Sequence, residues 1–181
     1  MKKLILIFSV LLFQLNYSFA NDKVIESLKE GGKLIFIRHA LAPGNGDPEN
    51  FELQNCYSQR NLNEIGIQQS KKIGLILKKN EIKIDKVLSS EWCRCKDTAK
   101  YAFEKYKTFY ALNSFFSEKF QKNRKSQMAD LSNFLKKWDD EKNLVLVTHY
   151  VVILDIANQP VSSGEIVILD KNLNLIGTML L

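Results

Sequence analysis

The strongest constraint on the fold is a pair of short apolar runs, each followed by one of the chain's two histidines. Residues 33–38 read Lys-Leu-Ile-Phe-Ile-Arg before His39, and residues 144–148 read Leu-Val-Leu-Val-Thr before His149. Continuous apolar runs of this kind are typical of strands that are covered on both faces, as in a parallel sheet. Ligands bind beyond the carboxyl ends of such strands. The sequence therefore places both imidazoles where a binding site is expected.

Extended and helical patterns alternate along the rest of the chain. They predict strands at 33–38, 84–88, 108–112 and 143–148, helices at 21–30, 63–79, 91–105, 126–138 and 150–157, and a hairpin of 165–170 with 173–180. In the second helix, the residues expected to face the core are Ile65, Ile73, Ile76 and Leu77. Alternation of this kind predicts a three-layer α/β/α domain with a mostly parallel central sheet and a C-terminal antiparallel hairpin.

The first twenty residues are predicted to be a secretory signal peptide. Lys2 and Lys3 precede an apolar stretch at residues 4–15, and Ser18-Phe19-Ala20 resembles a cleavage site. We therefore expect a single domain at residues 21–181, periplasmic or secreted, with no stable membrane insertion after cleavage. An uncleaved N-terminal anchor is the alternative.

The charge of the chain is moderately basic and has two interpretations. The formal net charge is +6, and loss of Lys2 and Lys3 leaves +4. This excess could attract anionic substrates, but scattered lysines on predicted helices indicate a solvated surface. No basic stripe with interleaved aromatic residues is present, so we expect no nucleic-acid partner.

The cysteines are Cys56, Cys93 and Cys95. In an oxidising compartment, one disulfide with one free thiol is expected. Cys56 could pair with Cys93 or with Cys95, and we favour Cys56–Cys93; a Cys93–Cys95 loop would be cramped. A metal site is not expected, because no histidine or carboxylate lies at ligand spacing from the pair.

Three elements carry residues suited to phosphate chemistry. Arg38-His39 follows the first strand, Arg94 lies in the first turn of a helix, and His149 follows a later strand. An arginine can bind a phosphoryl group with two hydrogen bonds, and an imidazole can attack phosphorus. Each element taken alone also fits an ordinary structural residue.

The order of these elements resembles the histidine phosphatase superfamily, which has the phosphoglycerate mutase-like fold. The matching residues are Arg38-His39-Ala40, the stretch from Ser90 through Arg94 to Thr98-Ala99, His149, and the helix entry at residues 60–70. The resemblance implies phosphoryl transfer to His39 followed by hydrolysis, without a metal or cofactor. It implies a phosphate pocket of Arg38, Arg94 and His149, with His149 protonated or hydrogen-bonded. Asn45 and Arg60 are secondary substrate-binding candidates, and Arg60 has a structural alternative.

Several positions depart from the family pattern. Ala40 and Tyr150 stand where relatives have glycine, and residues 112–116 lack the glutamate that serves many relatives as general acid. We therefore expect either an acid from elsewhere or a leaving group that needs little protonation. The candidate acids, with Glu165 ranked first, are Glu165, Glu118, Asp47 and Glu52.

The export signal and the missing glutamate favour an envelope function. In these two features the chain resembles phosphatases of the lipopolysaccharide core heptose type. This resemblance implies a phosphorylated small molecule or glycan as the substrate. The alternative is a catalytically degenerate member of the fold that binds phosphorylated envelope components. Retention of His39 favours an enzyme, since a binding protein needs no nucleophile.

Overall fold

The computed structural model describes residues 22–139 and 141–181, so the predicted signal peptide at residues 1–20 lies outside the described residues. The strands are β1 Leu34–Arg38, β2 Ile84–Ser89, β3 Lys107–Thr108, β4 Asn143–Thr148, β5 Ile166–Leu169 and β6 Leu175–Met179. The helices are α1 22–30, α2 Glu64–Lys79, α3 Cys93–Phe103, α4 Glu118–Gln121, α5 Arg124–Lys137 and α6 Tyr150–Ala157. Short 3₁₀ turns lie at Cys56–Ser58 and Tyr110–Leu112.

All of these strands belong to one six-stranded sheet with the order β3-β2-β4-β1-β5-β6. The pairs β3–β2, β2–β4 and β4–β1 are parallel, whereas β1–β5 and β5–β6 are antiparallel. The predicted fold class, a mostly parallel sheet with a C-terminal antiparallel hairpin between helical layers, is confirmed.

The apolar run of β1 is explained by packing on both faces of the sheet. Ile35 and Ile37 join the core cluster that packs with α1, α2 and α3, while Leu34 and Phe36 join the cluster with α5 and α6. Because successive side chains of a strand point to opposite faces, a strand between two helical layers needs apolar residues at every position. No helix of the described part of the chain is long and apolar enough to cross a membrane.

Three local predictions are wrong. The third strand has only two residues, because after Phe109 donates its N–H to Ser89 O (2.8 Å) the chain turns into the 3₁₀ turn at 110–112. Residues 118–121, which lie outside every predicted helix and strand, form α4. Ile65 is exposed, because the buried stripe of α2 runs through Gly66, Ser70, Ile73 and Leu77 at helical spacing.

Candidate active site

The two histidines meet because β1 and β4 are paired in parallel. Arg38 lies opposite Thr148 in the register, so the next residue of each strand leaves the sheet at the same edge. His39 N–H donates to Thr148 O (2.9 Å), and the two imidazole centroids lie 5.5 Å apart in an edge-to-face arrangement. Sheet pairing therefore joins residues that are far apart in the sequence.

The ring of His39 is oriented by its own loop. Its Nδ1 lies 2.9 Å from Ala40 O, and a carbonyl only accepts, so Nδ1 carries the hydrogen. Nε2 therefore carries no hydrogen, and its lone pair accepts from Arg94 Nε at 3.2 Å. This tautomer leaves Nε2 available as a nucleophile beside a guanidinium group.

Both histidines are neutral in the unliganded site. Burial, reinforced by the nearby Arg94 guanidinium, holds the pKa of His39 and the pKa of His149 well below the usual histidine value. His149 Nε2 lies 2.9 Å from Ser90 Oγ and 3.4 Å from Cys95 Sγ. Ser90 and Cys95 therefore fix the orientation of the His149 ring.

Arg94 is held by a buried ion pair that the sequence did not predict. Its Nη1 donates to Asp47 Oδ1 (2.7 Å), and both side chains are almost fully buried. The same carboxylate accepts from Arg60 N (3.1 Å) and from Trp92 Nε1 (3.0 Å). Asp47 therefore positions Arg94, and its occupied oxygens make it a poor proton donor.

Arg60 organises the loop that carries Asp47. Its guanidinium donates to Gly46 O (2.8 Å), Gly44 O (3.0 Å) and Ala42 O. Gly44 and Gly46 have φ values of +95° and +66°, which glycine adopts without a steric penalty. The structural role that the sequence left open for Arg60 is thus present, although the residue also lines the cavity described below.

Arg38 precedes His39 at the end of β1 and lines the same cavity. Its Nη1 donates to Val161 O (2.7 Å), and its guanidinium lies 5.5 Å from the centroid of the Tyr150 ring. Its Nε is buried without a hydrogen-bond partner. Tyr150, which stands where relatives have glycine, therefore contacts this guanidinium from the first residue of α6.

These side chains line one cavity of about 830 Å³, a size suited to a small-molecule ligand. The sequence-predicted residues at this cavity are Arg38, His39, Asn45, Arg60, Arg94 and His149. Glu165 is not among its lining residues, and its carboxylate accepts instead from Ser162 N (2.7 Å). The structure thus gives no support to ranking Glu165 first among the acids.

The other acid candidates differ in placement. Glu118, in the first turn of α4, lines the cavity, whereas Glu52 does not. In the stretch 112–116, which lacks a carboxylate, Asn113 Oδ1 accepts from Ser90 Oγ (3.1 Å) and Glu91 N (2.8 Å). Asn113 is therefore a structural amide that connects β2 to the segment after β3.

The disulfide joins Cys56 to Cys93, with a Cα–Cα distance of 5.6 Å, and is the pairing that the sequence favoured. Cys93 N also donates to Gln59 Oε1 (3.0 Å). The disulfide and this hydrogen bond therefore both attach the loop between β1 and α2, called the first loop below, next to Arg94. Cys95 is free and buried, and burial raises its pKa to about 12, so it is a neutral thiol. Within 22–139 and 141–181, no group of three or more His, Cys, Asp or Glu is placed to hold a metal ion.

Sequence reasoning missed the partners that orient these side chains. Trp92 and Gln59 carried no recognisable signal, because both act through contacts made across the fold. Asp47 did carry one: it lies in a Gly-Asp-Pro turn inside a long loop, and long loops are usually functional.

Comparison with known proteins gives one family match and several structural ones. The model of the histidine phosphatase superfamily (branch 1) matches residues 34–143. The protein histidine phosphatase SixA, solved with tungstate, superposes with a TM-score of 0.59 at 16% identity, over 81% of this chain and 96% of that one. A protein from Thermus thermophilus gives a TM-score of 0.58 at 14% identity, over 82% of this chain and 99% of that one.

A mycobacterial glucosyl-3-phosphoglycerate phosphatase, complexed with VO₃, gives a TM-score of 0.51 at 14% identity, over 77% of this chain and 93% of that one. No curated protein is significantly similar in sequence. At these identities the structural matches establish the shared fold.

Proposed function

Because the chain belongs to the histidine phosphatase superfamily, we propose that it is an exported phosphatase that hydrolyses a phosphomonoester through a phosphohistidine on His39. The observation that carries this proposal is the unprotonated Nε2 of His39, which accepts from Arg94 Nε in the shared cavity. A neutral, oriented imidazole beside cationic groups is suited to attack on a phosphoryl group.

In the first step, His39 Nε2 forms a bond to phosphorus and the ester P–O bond breaks. The Nδ1–H group keeps its hydrogen bond to Ala40 O, and this carbonyl stabilises the positive charge that develops on the ring. Arg94 and Arg38 line the same cavity and neutralise the phosphoryl oxygens, and His149 lies beside the nucleophile, with ring centroids 5.5 Å apart. Asp47 keeps Arg94 in place throughout.

The departing alkoxide takes a proton from a general acid, for which we propose Glu118 in place of Glu165. Glu118 is a cavity-lining carboxylate, whereas Asp47 is occupied by three donors. In the second step, water attacks phosphorus, the Nε2–P bond breaks, and the proton of the water restores the acid. Acids in this role contribute about 10²–10⁴-fold to the rate.

Export and location are part of the same proposal. The signal-like residues 1–20 and the disulfide between Cys56 and Cys93 both fit a periplasmic or secreted protein. A phosphorylated small molecule or glycan of the cell envelope, of the kind processed by heptose phosphatases, is the proposed substrate, and the proposed chemistry uses no metal.

A catalytically degenerate binding protein is the second candidate. The observation that favours it is the stretch 112–116, where the resemblance implies a general acid but no carboxylate is present, and where Asn113 forms hydrogen bonds within the fold. Such a protein would still bind a phosphorylated ligand with Arg38 and Arg94, but would not transfer the phosphoryl group.

The deciding experiment measures hydrolysis of p-nitrophenyl phosphate, whose leaving group needs little protonation. We expect turnover by the wild type, a loss of at least about a thousandfold in His39→Ala, and a phosphorylated histidine trapped by rapid acid-free quenching. The Glu118→Gln variant should retain this activity but lose hydrolysis of alkyl phosphates. Equal, negligible rates for the wild type and His39→Ala, with retained binding of orthophosphate, would favour the binding protein.

A further inference from the structure

We propose that the substrate is a free sugar phosphate of about monosaccharide size, whose ring lies on an aromatic wall above the phosphate site. This inference rests on the proposed function and narrows it to a substrate class. It follows from the part of the cavity that the phosphoryl chemistry does not use. That part is the aromatic wall, which we define as Phe51, Trp92, Phe116 and Phe120.

The aromatic wall begins next to the catalytic side chains His39, Arg94 and His149, which we call the floor of the cavity. The Trp92 ring lies 5.4 Å from His149, 5.3 Å from Phe120 and 5.8 Å from Phe51, as measured between centroids. Phe51 and Phe120 also contact each other at 5.9 Å, although one belongs to the first loop and the other to α4. Two distant segments therefore meet beside the phosphate site. Trp92 is only 2% exposed, so the surface of the wall that is open to a ligand comes from the partly buried Phe51 and Phe120 and from the exposed Phe116.

Phe116 is the member of the wall that packing leaves unexplained. The neighbouring Phe115 is buried in the core at 6% exposure, whereas Phe116 is 61% exposed and lines the cavity. The Phe116 ring is therefore open to contact with a ligand that enters the cavity.

The rim of the cavity is polar and of mixed charge. It carries the carboxylates of Glu49 and Glu118, the amide of Asn50 and the ammonium group of Lys119. Such a rim offers both acceptors and donors, which suits hydroxyl groups around the edge of a sugar ring. The C–H faces of the same ring suit the aromatic wall, so one ligand satisfies both surfaces.

The burial of the floor favours a free ligand over a phosphorylated protein. His39, Arg94 and His149 are each only 3% exposed, and loop residues 45–51 and residues 114–120 stand around them. A phosphohistidine on a folded protein would have to bring its own backbone between these segments. A free sugar phosphate is small enough to enter the cavity completely.

The test uses the His39→Ala variant as the background, so that ligands bind without being hydrolysed and the result does not depend on catalysis. Dissociation constants are measured by calorimetry for glucose 6-phosphate, glycerol 3-phosphate, adenosine 5′-monophosphate and orthophosphate. We expect glucose 6-phosphate to bind most tightly. Phe116→Ala should weaken it about three- to tenfold, with less than about a twofold change for glycerol 3-phosphate. Phe116→Tyr, which keeps the ring, should retain the affinity.

Tyr101→Ala is the matched control, since Tyr101 is a partly exposed aromatic residue of α3 that does not line the cavity. Tightest binding of adenosine 5′-monophosphate, or an equal loss for the sugar and glycerol phosphates in Phe116→Ala, would overturn the proposal. In the active wild type, hydrolysis of a protein-borne phosphohistidine as fast as of glucose 6-phosphate would do the same. If the wild type does not turn over p-nitrophenyl phosphate, that result would instead contradict the proposed function alone.

Discussion

Replacement of Asp47 by asparagine should expose how the site holds its buried arginine. The substitution keeps the shape of the side chain but removes the charge that pairs with Arg94 at 2.7 Å. Breaking a buried ion pair by neutralising one partner typically costs about 3–5 kcal/mol, because the other charge stays buried and unpaired. The new amide also presents N–H groups to donors such as Trp92 Nε1, which adds to the loss.

Bound phosphate should reverse part of this destabilisation. An oxyanion beside Arg94 supplies the missing negative charge, and a ligand that binds only the folded state raises its stability. We therefore expect Asp47→Asn to lose about 3–5 kcal/mol of unfolding free energy without ligand. At saturating orthophosphate the loss should be about half as large. The measurement is urea unfolding followed by tryptophan fluorescence, with and without orthophosphate.

Asp85→Asn provides the control for this substitution. Asp85 also accepts from a tryptophan, Trp138 Nε1 (3.2 Å), and pairs with a cation, Lys86 (3.0 Å), but at a more exposed position. Exposed pairs contribute about 0–1 kcal/mol, so a small, phosphate-independent loss is expected there. If Asp47→Asn behaves like Asp85→Asn, the role assigned to the buried pair is wrong.

Three further predictions concern the disulfide, pH and export. Reduction of Cys56–Cys93, which closes a loop of 37 residues, should cost about 4 kcal/mol and lower activity; unchanged unfolding in dithiothreitol would contradict this. Because burial lowers the folded-state pKa of His39 and of His149, the unfolded chain binds more protons below about pH 6.5, so stability should fall there by up to about 2.7 kcal/mol per pH unit. Replacing either histidine with asparagine should roughly halve that slope in urea titrations. N-terminal sequencing of the exported protein should begin at Asn21, and an intact Met1 in the periplasmic fraction would refute the cleavage site.

Much of the site could be predicted because its residues follow buried strands. His39, His149 and Arg94 each stand just after a recognisable strand or at a helix start, and the fold brings those points to one sheet edge. The general acid could not be ranked in this way. Glu165 was ranked first, yet its carboxylate accepts from Ser162 N, and such a contact depends on the local path of the loop.

The boundaries of helices and strands were likewise predictable where local sequence sets them and not where contacts across the fold set them. β4 and α6 match the predicted ranges because an apolar run and a helix entry define their ends locally. β3 was predicted too long, because pairing with β2 extends only to Thr108 before the chain turns inward. The exposure of Ile65 likewise depends on the close approach of Gly66 to Leu41 O, where an added Cβ would lie at 2.1 Å.

The sequence by itself determined the α/β class and indicated where His39, Arg38 and Arg94 stand, because buried strands and their ends leave a local pattern of apolar residues. Only the tertiary structure decided which groups orient His39. The Asp47–Arg94 pair, the aromatic wall and the neutral state of both histidines arise from contacts between segments tens of residues apart. Such contacts depend on burial and distance in the folded chain, and a linear pattern records neither.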